Sequence, residues 1–451
     1  MSGWILRMLG RATVVVAVLA LGSLSPRIRA SSGLPSTTAF VGVSVIPVDH
    51  EVVLRDQTVL VQGDRIMAVA PTGSVEIPAD AQWIDAARKY LMPGLIDMHV
   101  HIREQELSAY VANGITSVRN MWGYRELPDI MRRIESGAVV GPTIYSASPG
   151  FDAPPPYWPQ TQIIDDPRQA DALVAEQIAN GWLFIKVYQK LRPAVYDAIL
   201  DSARARGIRV VGHVPTEVPV EHALAAGQVS LEHLHGYDLA ITRHNLGPFD
   251  PATWVDIDPG KLPDLAERTR LAGAWNCPTL AIYEVFTRGM APMDRDRVLG
   301  NRRLVVGVLD ASAGRILAGT DSGIDYTEAG TSIHDELDQL VASGLPPYKA
   351  IWGATYGGAI FLGQVAEIGS VAAGRRADLV LLDRNPLENV AALRNPRGVM
   401  WHGLWRVEPP FLRRVVLPCA SGPFAGAGSE TQTPSLPRSD CRHRTTRTVV
   451  R

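Results

Sequence analysis

The sequence predicts a (β/α)8 TIM barrel inserted in a small discontinuous β-sandwich domain. Eight short apolar runs alternate with helical segments rich in Ala, Leu, Arg and Glu between residues 93 and 365. Val-rich strands precede this region over residues 38–92, and further strands follow it over residues 366–410. Alternation of this kind is typical of a parallel barrel surrounded by helices. With 46% hydrophobic and 20% charged residues, the chain has the composition of a globular protein.

The first residues have the features of an export signal. Arg7 and Arg11 precede an apolar stretch from Ala12 to Leu24, which is shorter than the ~20 residues that span a bilayer. Small residues follow near Ala30, where cleavage would occur. Residues 1–30 are therefore predicted to be a signal peptide of a periplasmic or secreted protein, with no stable membrane association after cleavage. The alternative is an uncleaved N-terminal membrane anchor.

Strand signals then follow in order along the chain. In the small domain they cover Thr38–Ile46, Glu51–Gln62, Arg65–Ala70, Ile368–Val371, Asp378–Leu382 and Gly398–Trp401. The eight barrel strands are predicted at Gly94–Ile102, Ile115–Asn120, Thr143–Ala147, Phe184–Tyr188, Arg209–Val214, Ser230–His235, Asn276–Ile282 and Arg315–Thr320.

The end of the chain, residues 411–451, is predicted to be a disordered basic tail. It is rich in Pro, Ser, Thr, Gly and Arg and shows no periodicity. Export would permit a disulfide between Cys419 and Cys441, which the sequence leaves open. The net charge of −2 gives no reason to expect nucleic acid as a partner. The expected partner is a small-molecule substrate, and a homo-oligomer is left open.

A candidate metal site begins at the first barrel strand. Side chains alternate between the faces of a strand, so His99 and His101 point the same way and together can chelate an ion. Further candidate ligands lie at or near the ends of predicted strands 4, 5, 6 and 8, namely Lys186, His213, His233 and Asp321. The active sites of (β/α)8 enzymes are built at the carboxyl ends of the strands.

Two of these residues have alternative interpretations. Lys186 lies among apolar residues, where an ammonium is costly to bury unless it is paired or neutralised. Either its head reaches a carboxylate at the barrel mouth, or its neutral amine captures CO2 and the resulting N6-carboxylate bridges two cations. Asp321 lies in a Gly-Thr-Asp-Ser-Gly segment that is also compatible with a helix-capping turn.

Six segments together resemble the amidohydrolase superfamily, in its branch of imidazolonepropionase-like hydrolases and metal-dependent Xaa-Pro dipeptidases, or prolidases. The segments are Leu91–His101, Ile185–Val187, Val211–His213, Leu231–His233, Ala318–Gly323 and Gly374–Leu382. The resemblance extends from about Val41 to Trp401. Its motifs are far more specific for the superfamily than for a substrate.

The resemblance implies a centre of two divalent metal ions, usually Zn2+. The implied ligands are His99, His101 and Asp321 for the first ion and His213 and His233 for the second, with carboxylated Lys186 bridging both. A hydroxide bridging the ions would attack an amide carbonyl, and Asp321 would act as general acid and base. The implied substrate is a dipeptide or N-acyl amino acid. The alternative is a cyclic amide or lactam, or a xenobiotic amide or ester.

Departures from the family pattern lie in the loops of the substrate end. Asn120 stands where relatives commonly have Asp, Trp122 adds bulk, and residues 150–158 form a Pro-rich aromatic segment. These loops put a plain dipeptidase in doubt without affecting the metal ligands. The candidate substrate contacts are His235, Tyr237 and Arg119, although Arg119 is equally compatible with a structural ion pair. The competing functional class is a non-catalytic barrel used for binding.

Overall fold

The computed structural model describes residues 37–244, 250–324 and 327–406. The predicted signal peptide and basic tail, including Cys419 and Cys441, lie outside the described residues. Within the described ranges, no helix combines the length and the apolar character needed to cross a membrane.

The described residues form seventeen strands and twelve α-helices. The strands are β1 (Thr37–Val45), β2 (Leu54–Gln62), β3 (Arg65–Pro71), β4 (Gln82–Asp85), β5 (Tyr90–Pro93), β6 (Leu95–Val100), β7 (Ile115–Asn120), β8 (Thr143–Asp152), β9 (Gln162–Ile163), β10 (Phe184–Val187), β11 (Arg209–Gly212), β12 (Ser230–Glu232), β13 (Trp275–Cys277), β14 (Arg315–Ile316), β15 (Leu379–Leu382), β16 (Gly398–Trp401) and β17 (Leu404–Arg406). The helices are α1 (Leu107–Ala112), α2 (Leu127–Glu135), α3 (Ala170–Ala179), α4 (Pro193–Ala205), α5 (Val220–Ala226), α6 (Tyr237–Ile241), α7 (Leu262–Ala272), α8 (Leu280–Phe286), α9 (Pro292–Ala311), α10 (Ser332–Ala342), α11 (Pro347–Gly353) and α12 (Tyr356–Leu362).

The small sheet joins strands from both ends of the described chain. Its order is β17-β16-β15-β5-β1-β2-β3, with β4 paired in parallel to β1. Phe40 of β1 and Trp405 of β17 are four places apart in this order, yet their rings meet edge to face at 5.0 Å. The sheet therefore curls over one apolar core, which also contains Val59, Leu91 and Leu379.

The barrel consists of eight parallel strands in the order β14-β13-β12-β11-β10-β8-β7-β6. Each of the eight predicted runs contains one of these strands, so the predicted barrel is confirmed. Apolar residues alternate with the site residues along them. Ile185 and Val187 of β10 share an apolar cluster with Tyr196 and Ile199 of α4. Lys186 lies between them in sequence and therefore points to the opposite face of the strand.

The barrel closes between its first and last strands through backbone hydrogen bonds rather than through a paired ladder. Met98 N donates to Ala318 O at 2.9 Å, and Asp321 N donates to His99 O at 2.8 Å. Further along, His101 N donates to Ser322 O at 2.7 Å. The backbone that closes the barrel is thus the same backbone that carries three of the predicted metal ligands.

Several predicted strands extend beyond the observed ones; the sixth barrel strand ends at Glu232 and the eighth at Ile316. Two other differences have a clear structural cause. The strand predicted at Ile368–Val371 is a buried bend, because Gly369 has a φ of +86° and lies close to α12. The seventh barrel strand ends at Cys277 instead of Ile282. Thr279 takes a left-handed φ of 47°, and α8 begins directly after it.

Candidate metal centre

The first group of candidate ligands is His99, His101 and Asp321. Asp321 Oδ1 lies 3.3 Å from His99 Nε2 and 3.0 Å from His101 Nε2. Both His99 Nε2 and Asp321 Oδ1 are buried without an acceptable hydrogen-bond partner in the described part of the chain. Buried polar atoms are rarely left in this way. The ligand atoms of the three residues lie within 4.8 Å of one another, so they fit a divalent cation.

His213 and His233 extend this group to four imidazoles. The ring of His233 lies 4.6 Å from that of His99 and 4.7 Å from that of His213, measured between centroids. His233 Nδ1 forms a hydrogen bond with Thr279 Oγ1 at 2.7 Å, which orients the ring and leaves Nε2 available to bind a metal ion. Burial lowers the pKa of His213 and of His233 well below the usual value. Both imidazoles are therefore neutral, the form that binds metal.

Lys186 lies among these imidazoles. Burial lowers the pKa of its ammonium to about 8, although Glu232 and Asp321 oppose this shift. Its charge in turn lowers the pKa of His213 and of His233. In the next strand Lys186 is paired with Val211, and its side chain passes Gly212, where an added Cβ would lie 3.0 Å from Lys186 Cδ and 2.2 Å from Val187 O. Near pH 8 a substantial fraction of Lys186 is therefore a neutral amine, and the neutral amine is the form that reacts with CO2.

The turns that present the ligands have unusual backbone geometry. His233, Thr279 and Asp321 have φ values of 60°, 47° and 57°. Residues other than glycine rarely adopt this left-handed backbone region, and such strain concentrates at functional sites. Burial raises the pKa of Asp321, but its interactions with His233, His99 and His101 outweigh burial and hold the pKa well below its usual range. Asp321 is therefore a carboxylate at neutral pH.

A carboxylate behind the centre was missed in the sequence. Glu232 Oε2 lies 2.8 Å from His99 Nδ1, so His99 is held from the side opposite Asp321. Arg119 Nη2 donates to Glu232 Oε1 at 2.9 Å and to Oε2 at 3.0 Å. Burial raises the pKa of Glu232, but Arg119 and His99 outweigh burial and lower it to about 2. A charged carboxylate on the distal ring nitrogen fixes the tautomer of a metal-binding histidine.

Glu232 was missed because strict alternation separates it from its neighbour His233. Adjacent residues of a strand point to opposite faces. Here β12 ends at Glu232, and His233, the next residue, has a left-handed backbone that turns its own side chain back toward the centre. The available signal was an acidic residue inside a buried strand, which requires a cationic or hydrogen-bonding partner.

The three predicted substrate contacts have different surroundings. The guanidinium of Arg119 is fully buried and occupied by Glu232, Met98 O and Ser230 Oγ, which favours the structural ion pair. Tyr237 is buried, and its hydroxyl pairs with Thr269 at 2.8 Å, which favours ordinary packing. His235 lies 4.3 Å from the ring of His213 and pairs with Gln189 at 3.2 Å. Of the three, His235 stays a prediction next to the candidate ligands.

Replacing Glu232 by Gln is expected to weaken zinc affinity by about 10- to 100-fold, because His99 loses its charged partner. Competition with a chromogenic chelator measures this affinity directly. The matched control is Glu284→Gln, which removes a carboxylate paired with Arg295 and Arg303 away from the centre. Equal zinc affinity in Glu232→Gln and the unaltered protein would exclude this orienting role.

Known proteins resemble the chain over most of its length. An adenine deaminase of Chelativorans sp. (strain BNC1) is 26% identical over 367 residues, covering 76% of this chain and 53% of the deaminase. The chain thus spans about half the length of such relatives. Ochratoxinase of Aspergillus niger is 23% identical over 453 residues, covering 84% of this chain and 88% of the ochratoxinase.

Solved structures share the fold. A Xaa-Pro dipeptidase with bound methionine superposes with a TM-score of 0.67 at 21% identity, covering 83% of this chain and all of that chain. The A. niger ochratoxinase structure gives a TM-score of 0.64 at 20% identity, covering 83% of this chain and 96% of that chain. The model of the amidohydrolase family matches residues 90–405, which include every candidate ligand described above. This chain belongs to the amidohydrolase family.

Proposed function

We propose that the protein hydrolyses an amide bond of a small molecule at a centre of two divalent metal ions. The observation that carries the proposal is the convergence of His99 Nε2, His101 Nε2 and Asp321 Oδ1, two of which are buried without hydrogen bonds to described residues. The proposed ligands are His99, His101, Lys186, His213, His233 and Asp321. Family membership supports metal-dependent chemistry on a carbon–nitrogen bond.

The two halves of the centre differ in charge. His99, His101 and Asp321 combine two imidazoles with a carboxylate, whereas His213 and His233 contribute imidazoles alone. A carboxylated Lys186 would supply the missing anion on the second side, which is why we propose that modification. When bound, the ions supply Lewis-acid activation of a water molecule and of the scissile carbonyl. Zn2+ suits this mixture of nitrogen and oxygen ligands.

Asp321 has the position and charge of the general acid and base. Its Oδ1 faces His99 and His101, and its Oδ2 lies 3.9 Å from His233 Nδ1. As a carboxylate at neutral pH it can accept a proton from the attacking water. It can then deliver that proton to the nitrogen of the leaving amine, which departs poorly unless it is protonated. His235, beside His213, is the proposed contact for a polar group of the substrate.

The proposed substrates are dipeptides and N-acyl amino acids, and cyclic amides or xenobiotic amides are the alternative. The full chain, loaded with zinc, is to be screened against both classes and against adenine, scoring released amine, acid and ammonia. We expect amine release that disappears on chelation and returns with zinc. Release of ammonia from adenine alone would indicate a deaminase. A chain that retains only traces of metal and turns over none of these compounds would indicate a binding barrel.

A further inference from the structure

Four aromatic side chains contact one another beside the candidate metal centre, and we call this cluster the aromatic wall. Its members are Trp122, Tyr157, Trp158 and Tyr188. They follow the carboxyl ends of three neighbouring barrel strands, β7, β8 and β10. The wall therefore lies at the same end of the barrel as the candidate ligands.

Tyr188 is the centre of the wall and joins it to the metal site. Its ring lies 4.3 Å from that of His213. Trp122 meets Tyr188 edge to face at 5.3 Å, and Tyr157 meets it at 6.2 Å. Trp158 Nε1 donates to the Tyr188 hydroxyl at 2.8 Å, which fixes the orientation of both rings. Edge-to-face contacts of this kind are the favoured arrangement of aromatic rings.

Lys190 holds the outer part of the wall in place. Its ammonium donates to Pro155 O at 2.6 Å and lies 4.1 Å from the centre of the Tyr157 ring. Its backbone N–H donates to Asp152 Oδ1 at 2.6 Å. The Pro-rich segment is thus tied to the loop after β10, although 51% of the surface of Tyr157 remains exposed. A fixed and partly exposed ring loses little conformational freedom on binding.

One polar atom of the wall lacks an internal partner. Trp122 Nε1 is buried and makes no hydrogen bond within the described ranges. A buried donor without an acceptor is costly, so a ligand that supplies an oxygen atom at this point would relieve that cost. The inner part of the wall also lies within ring-contact distance of the candidate ligand His213. A group bound to the wall would therefore lie next to the bond being cleaved.

We propose that the aromatic wall is a substrate subsite that binds an aromatic ring adjacent to the scissile amide, with Trp122 Nε1 donating to an oxygen of the substrate. This inference rests on the proposed function and narrows its substrate class. The aromatic ring of the substrate belongs either to the acyl group or to the side chain of the amino acid released. The wall would recognise it by the same ring contacts in both cases. Stacking on rigid aromatic rings and burial of the ring supply the selectivity.

Binding of sulfonamides that resist hydrolysis tests the subsite without turnover. Isothermal titration of the zinc-loaded chain would compare benzenesulfonylglycine and methanesulfonylphenylalanine with methanesulfonylglycine. We expect one of the two ring-bearing probes to bind about 10- to 100-fold more tightly than the methyl probe. The tighter of the two identifies the side of the amide that carries the ring. Equal dissociation constants for all three probes, or no binding of any, would overturn the subsite.

Variants of the aromatic wall test whether it is the source of tighter binding by ring-bearing probes. Tyr157→Ala, at a largely exposed position, is expected to lower affinity for the preferred ring-bearing probe by about tenfold and to leave the methyl probe unchanged. Trp122→Leu also removes the proposed donor to the substrate oxygen, so it is expected to weaken binding of every probe and of the ring-bearing probe most. The matched control is Trp83→Leu on β4, where 61% of the side chain is exposed. Equal losses for both kinds of probe would refute selection by the wall. Selective binding without amide hydrolysis would instead refute the proposed function, and hydrolysis without selectivity would refute only the subsite.

Discussion

Asp321→Asn is expected to lower kcat for amide hydrolysis by about 10²- to 10⁴-fold, the usual loss when a general acid and base is removed. The amide keeps the shape of the side chain and an oxygen that can still face His99 and His101. It cannot accept the proton of the attacking water or return it to the leaving amine. Steady-state kinetics on the best substrate, together with elemental analysis of the variant, separate loss of proton transfer from loss of metal.

The matched control for this variant is Asp335→Asn on α10, whose carboxylate pairs with Arg394 at 2.8 Å. It removes one charge from an exposed ion pair, and such pairs contribute little to stability. We expect its kcat to equal that of the unaltered protein. A kcat above one-tenth of that value in Asp321→Asn, with the metal retained, would remove Asp321 from the proton-transfer role.

Lys186→Ala is expected to abolish activity and to release at least one metal ion per chain. Loss of a residue that orients one ligand lowers metal affinity by about 10- to 100-fold, so loss of Lys186, the proposed bridging ligand, is expected to lower it further. The structural reason is that Lys186 is the only lysine that lies among the four imidazoles in the described part of the chain. Metal stoichiometry after gel filtration and kcat/KM on the best substrate measure the two effects.

Lys186→Arg distinguishes carboxylation from simple pairing. Arginine keeps a positive charge for Glu232 and Asp321 but remains protonated and does not take up CO2. We expect it to be as inactive as Lys186→Ala. Added acetate or propionate is expected to restore part of the activity of Lys186→Ala, because a free carboxylate would replace the proposed carboxylated side chain. Full activity of Lys186→Arg would show instead that Lys186 serves only as a cation.

The barrel was predictable because each of its strands leaves a local signal. A buried parallel strand is a short apolar run, and its end is marked by a polar residue or glycine. The bend at Gly369 and the early end of β13 were not predictable in the same way. Both depend on a left-handed backbone and on a close approach to α12 or α8, which are properties of the assembled fold.

The candidate site was predictable to the extent that it follows alternation and strand ends. His99 and His101 share a face of β6, and Asp321 follows the last barrel strand, so the structure brings all three together. Arg119 and Glu232 could not be assigned in this way. Arg119 offers no signal that separates a substrate contact from a buried partner, and Glu232 and His233 both face the centre only because alternation fails at His233.

The backbone hydrogen bonds that close the barrel also hold two candidate ligands in place. Asp321 N and His101 N each contribute a hydrogen bond across the join between the first and last strands, and their side chains face one another across the same gap. A ring of strands has no free edge only while this join holds. Any widening there would separate two candidate ligands at once, so we expect the candidate metal centre to be lost when the barrel first opens at this join.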